Sequence, residues 1–162
     1  MASDSVRDVR NGALAGLIAT VPMTLVMLIG WGLLPRREQY PLPPREITEE
    51  MAEKANIEAK LTDNQLTVAS LFSHFAYGAM TGSIYAVLER KMRGADELKG
   101  VVAGLLVWVG SYLGWLPALR ILKPATQHPW RRNLLMIVAH LVWGVTLGEV
   151  TQLLNSKNFS GM

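Results

Sequence analysis

The chain contains no cysteine. That excludes disulfides, thiolate metal sites and a cysteine nucleophile, and it leaves the redox compartment unmarked. Histidine is scarce, with three residues in 162. No H-E-x-x-H helix, phosphate-binding loop or Ser-His-Asp arrangement occurs. A non-enzymatic chain without a metal site is therefore expected. Charge is the most informative lack. Residues 12–34, 66–88 and 100–119 carry none, and 133–154 carry only Glu149.

What fills those blocks is apolar. Half of the chain is hydrophobic and its mean hydropathy is positive, at +0.21. About 20 residues at a rise of about 1.5 Å span a hydrocarbon core of about 30 Å. The blocks thus predict an all-α integral membrane protein with four transmembrane helices, roughly 8–34, 63–89, 98–122 and 131–155. A soluble four-helix bundle would give each helix a polar face, and these blocks are apolar all round. The first block is a poor match to a signal peptide, being too long for its apolar core and flanked by Asp4 and Asp8. The pI near 9.4 does not indicate nucleic acid, because the net charge of +3 is divided among short loops. Lipid headgroups are the natural partners of such loops.

The chain is written twice. "SHFAYGAMTG" at 73–82 and "AHLVWGVTLG" at 139–148 both fit H-x-x-[YW]-G-x-x-x-G, and "GALAGL" at 12–17 matches "GVVAGL" at 100–105. The shared order predicts a duplication, with repeat 1 at 5–90 and repeat 2 at 98–155 inside one membrane domain, 1–162. Two spans per repeat make the repeats parallel, related by an axis along the membrane normal. A pseudo-twofold bundle follows. Gly12, Gly16, Gly78, Gly82, Gly100, Gly104, Gly144 and Gly148 are the expected packing positions, since close backbone approach holds helices together in lipid. Gly110 and Gly114 have the same spacing without a counterpart in repeat 1.

Helix ends are marked as well. Ser5-x-x-Asp8 and Thr62-x-x-Gln65 have N-cap form, Pro35 ends the first helix, and Pro117 and Pro124 bend or end the third. Pro22 predicts a kink beside Thr20 and Thr24, whose hydroxyls can satisfy freed carbonyls. The first repeat carries extra residues between its helices. There "PLPP" is stiff, and Ile47, Met51, Ala55 and Ala59 then recur every four residues. This predicts a short amphipathic helix over 44–60, resting on the protein across the bundle mouth.

On a helix His74 shares a stripe with Ser70, Tyr77, Thr81 and Tyr85, and His140 shares a face with Trp143, Gly144, Leu147 and Thr151. Three uses compete. A neutral imidazole can lock helix register, which is the favoured use. The stripe can form a path for a proton or solute in a small oligomeric transporter. Alternatively, His74 and His140 can bind a cofactor as a pair, haem or chlorin being the candidates, although no cofactor is favoured. His128 lies beside Trp130 and Arg131-Arg132, which read as a headgroup anchor. A small oligomeric scaffold, either a homo-oligomer or an accessory subunit of a membrane complex, is the preferred function.

"GLIA" in the first block, "PLPPR" at 41–45, "KGVVAGLL" at 99–106, "HPWRRN" at 128–133 and "AHLVWG" at 139–144 resemble the YagU-like family of bacterial inner-membrane proteins. The resemblance implies a polytopic inner-membrane protein with cytoplasmic termini, and it names no reaction. The basic residues do not orient the chain, with seven on the side of the termini and nine on the other.

Overall fold

Thr62 and Gln65 start a 27-residue helix by satisfying each other's exposed backbone. The Thr62 N–H donates to Gln65 Oε1 at 2.8 Å, and the Gln65 N–H donates to Thr62 Oγ1 at 3.3 Å. In the computed structural model, which describes residues 2–92 and 94–156, this helix is α3 (Asp63–Glu89). It follows α1 (Ala2–Leu33) and α2 (Pro43–Lys54), and precedes α4 (Asp96–Val109), a short α5 (Leu116–Ala118) and α6 (Trp130–Ser156). No strand occurs among the described residues.

Three segments are long and apolar enough to cross a membrane: Val6–Leu33, Leu98–Ala118 and Trp130–Ser156. α3 is as long as α6 but is not among them, being diluted by Ser70, Ser73, His74, Tyr77, Thr81 and Ser83.

Several local expectations are corrected. α1 already begins at Ala2, so Ser5 is inside the helix and not its cap; Asp8 instead receives Arg90 at 2.8 Å. α1 continues through Pro22, as the expectation of a kink within one helix requires. The Thr20 and Thr24 hydroxyls donate to the carbonyls of Gly16 and Thr20, both at 2.7 Å, and not to that of Ile18, which the missing Pro22 N–H would have served. α2 stops at Lys54 because Asn56 turns into the left-handed region at φ 56°, a common helix ending that leaves Ala59 off the stripe.

The third apolar block is not one regular helix. α4 gives way to a π-helical turn over Gly110–Trp115, and a kink falls at Gly114 (φ −109°, ψ −110°). Pro117 supplies the reason, since it cannot donate to the Leu113 carbonyl one turn back. Nothing packs close to Gly110 or Gly114, so these two serve the bend and not a helix contact.

α1 packs along both α3 and α6, and α4 packs along α6, so the neighbours run α3–α1–α6–α4. The glycines set these approaches. A Cβ at Gly16 would collide with the Gly78 carbonyl, and one at Gly100 with the Gly144 carbonyl. The bundle departs from twofold packing. Exchange of the two halves would make α3–α4 as intimate as α1–α6, yet α3 and α4 barely touch. α2 lies against α3 beside that opening.

Candidate functional site

The opening leads to a cavity of about 210 Å³. α1 contributes Thr20, Met23 and Met27, and α2 closes one end with Pro43, Pro44, Ile47 and Met51. From α3 come Ser73, His74, Tyr77, Gly78 and Thr81. The far wall is Val107 of α4, then Ser111, Tyr112, Trp115 and Leu116 from the π-helical turn and its end. His140 and Trp143 of α6 complete it. Among the described residues no Asp, Glu, Lys or Arg lines the cavity.

Both histidines therefore meet one space, and of the predicted stripe His74, Tyr77 and Thr81 face it. Ser70 and Tyr85 are buried but do not line it. The Ser70 and Thr81 hydroxyls donate to the Leu66 and Tyr77 carbonyls of their own helix, at 2.7 and 2.8 Å. Ser111, Tyr112 and Trp115 are the wall residues that helical periodicity does not single out. The signal available for them was the cluster of Gly110, Gly114 and Pro117, which marks an irregular turn.

His140 is 6% exposed, and its Nδ1 lies 2.7 Å from the Met136 carbonyl. A carbonyl only accepts, so Nδ1 carries the proton and Nε2 keeps its lone pair. The Tyr112 ring meets the imidazole edge-on, with centroids 6.1 Å apart. His74 Nε2 is buried without a hydrogen-bond partner. Such an atom costs about 1–3 kcal/mol if nothing ever bonds it. Nε2 of His140, backed by a carbonyl on the other ring nitrogen, has the arrangement common to metal-bound histidines. The space is nevertheless smaller than the roughly 300 Å³ at which drug-sized sites begin, so it suits a single ring better than a tetrapyrrole. Among the described residues no group of three or more His, Cys, Asp or Glu could hold a metal ion.

A second, charged cluster anchors the cap. Arg132 is only 2% exposed, so it is not the headgroup residue expected from its neighbours. Its guanidinium donates to the carbonyls of Tyr40 (2.9 Å) and Pro41 and to Glu46 Oε2 (3.3 Å), and it lies 3.5 Å above the Tyr40 ring. Burial pushes the Glu46 carboxyl above its ordinary range, against the pull of Arg132. Arg131 is half-exposed and pairs with Glu38 at 3.3 Å, while its guanidinium covers the exposed Trp130 ring. His128 bridges two partners: Nε2 donates to the Lys123 carbonyl at 3.1 Å, and Nδ1 accepts from the Tyr40 hydroxyl at 2.7 Å. Burial lowers its pKa, the Lys123 bond opposing. The "PLPPR" and "HPWRRN" motifs, 87 residues apart from Pro41 to His128, thus form one joint. It holds the segment leading into α2 on the start of α6.

Residues 23–148 match the family described as protein of unknown function DUF1440, and the chain belongs to that family. No curated protein matches it. No solved structure matches it either.

Proposed function

We propose, with membership of this uncharacterised family as the premise, that the chain is a four-span inner-membrane protein that binds a small, mainly apolar molecule between α3 and α4. The observation that carries this reading is the meeting of His74 and His140 in one uncharged cavity, with the His140 ring proton held by Met136 and its Nε2 left as an acceptor. A polar atom in that position gains most from a ligand that completes its hydrogen bonding.

The fourth span is α3. His74, Tyr77 and Thr81 turn inward while Val68, Phe72, Met80, Ile84 and Leu88 are exposed, the distribution that a helix with lipid on one side and a cavity on the other requires. Two parallel repeats explain why Gly12 meets Gly82 and Gly16 meets Gly78, while Gly100 meets Gly144 and Gly148 and Gly104 meets Gly144. The termini are cytoplasmic in this reading, which rests on the YagU-like motifs.

A scaffold or accessory subunit, whether as homo-oligomer or in a larger complex, draws on the apolar outer surface, including Phe72 at 77% and Leu106 at 64% exposure. Lipid covers such a surface equally well, whereas a pocket shared by both histidines has no part in pure scaffolding. The bound molecule is held or carried without being chemically changed. A haem pair at His74 and His140 is the reading that a Soret band in the purified protein would restore.

Single cysteines at Ser3, Asn56, Ala95, Gln127 and Ser160 test the span count with a membrane-impermeant thiol reagent; Ser160 lies outside the described residues. Ser3, Ala95 and Ser160 should label from the cytoplasmic side, and Asn56 and Gln127 from the other. Labelling of Asn56 and Ala95 from one side would remove α3 from the bilayer and end the four-span reading.

A further inference from the structure

We propose that the cavity takes a membrane-dissolved molecule headed by a phenolic or quinol ring, which donates its O–H to Nε2 of His140. This rests on the reading of the cavity as a ligand site.

The available hydrogen-bonding groups define the head. The Thr20, Ser73 and Thr81 hydroxyls donate to the Gly16, Ser70 and Tyr77 carbonyls, and the Tyr77 and Ser111 hydroxyls share one bond at 3.0 Å. His140 gives its only ring proton to Met136. Its Nε2 is therefore an acceptor, and it selects a ligand with a proton to give. At that atom a quinone or ether oxygen would place one lone pair against another. His74 of the opposite helix lines the same space, while its own Nε2 is buried against protein.

Charge excludes other heads. With no Asp, Glu, Lys or Arg in the wall, a phosphate, carboxylate or ammonium would be buried without a counter-ion. Shape selects the ring. Tyr77, Tyr112, Trp115 and Trp143 line the space, and aromatic walls reward a flat partner with stacked or edge contacts. An apolar cavity of about 150 Å³ holds benzene in another protein, so about 210 Å³ holds one substituted ring. The tail needs no room inside, because α3 and α4 barely touch and the gap between them faces outward from the bundle.

The test compares 4-butylphenol with its methyl ether, two probes with nearly the same apolar body, of which only the first can donate. Both are titrated into the full chain in phosphatidylcholine nanodiscs, with empty nanodiscs as the partition control. Tryptophan emission reports binding, since Trp115 and Trp143 line the cavity. The phenol should bind about tenfold more tightly than the ether, the value of one hydrogen bond to a buried acceptor. His140→Phe should bring the two affinities together while still binding both. Equal affinity of phenol and ether for the native chain overturns the inference and leaves the cavity standing as an apolar site. Binding of neither probe above the empty-nanodisc control overturns the ligand-site reading itself. The ratio measured on the native chain decides the matter even where His140→Phe does not fold.

Discussion

The phenol oxygen of Tyr77 lies 3.0 Å from Oγ of Ser111, a single hydrogen bond across the gap between α3 and the π-helical turn. The Tyr77 ring also meets Trp115 of the same turn, with centroids 6.1 Å apart. These contacts bridge one level of the side of the bundle where α3 and α4 barely touch. Tyr77→Phe and Ser111→Ala should each destabilise the fold by about 0.6 kcal/mol, the average for hydrogen bonds between membrane helices. The double variant should be little worse than either single one, because both remove the same bond. Unfolding by dodecyl sulfate in mixed micelles measures the cycle, and full additivity would separate the two residues.

Glycine spacing and glycine contact make a second prediction. A Cβ at Gly16 would strike the Gly78 carbonyl, and one at Gly104 the His140 carbonyl, and backbone cannot yield as a side chain can. Gly16→Ala and Gly104→Ala should each destabilise the fold by about 1–3 kcal/mol, the usual range for overpacking. Gly32 has nothing within 4 Å of a Cβ. Gly32→Ala should be neutral or slightly stabilising, given the helix preference for alanine of up to about 1 kcal/mol. The same unfolding assay ranks all three, and equal effects would detach the loss from the close contacts.

Acid should loosen the joint between the cap and α6 through His128. Its pKa is lowered in the fold by burial, with the Arg132 and Lys123 charges acting in the same direction, so the unfolded chain takes up the proton first. The contribution of His128 is thus fully present above the unfolded value, about 6.5, and falls as pH drops below it towards the folded value. Glu46 opposes this trend: its pKa is raised, so the folded state holds that proton more tightly and gains as pH falls through the carboxylate range. Hydrogen exchange of residues 35–42 and 121–129 between pH 7 and pH 5.5 should rise in the native chain and stay flat in His128→Gln. A rise of equal size in both would assign the effect to another group.

The helical membrane class was legible from charge alone. A block without charge and as long as a bilayer is thick admits few structures, because backbone groups in lipid must bond within their own helix. The Thr62–Gln65 cap and the stop before Pro35 were equally readable, since both depend on residues within one turn. α3 lay at the limit of such reading. Among the polar residues that lower its hydropathy, Ser73, His74, Tyr77 and Thr81 line the cavity, and composition averages them with the apolar outer face.

The joint around Arg132 was hidden for a different reason. "HPWRRN" suggested two arginines at the headgroups, and nothing within the motif distinguishes Arg131 from Arg132. Which guanidinium is buried depends on the Tyr40, Pro41 and Glu46 oxygens, brought close only by folding.

By itself, the sequence determined the apolar helices, the repeated histidine and glycine phrases, and the lack of charge within the apolar blocks. Those features follow from local chemistry and from period. The tertiary structure alone decided that the two halves do not pack as twofold equivalents: α1 and α6 close together, while α3 and α4 remain apart around a cavity. The physical reason lies in the second half. Pro117 and the glycines at 110 and 114 turn a helix into a π-helical bend, and that bend presents Ser111, Tyr112 and Trp115 to the two histidines. A repeated phrase places a histidine twice in the sequence, but only the contacts of the whole chain bring both to the same space.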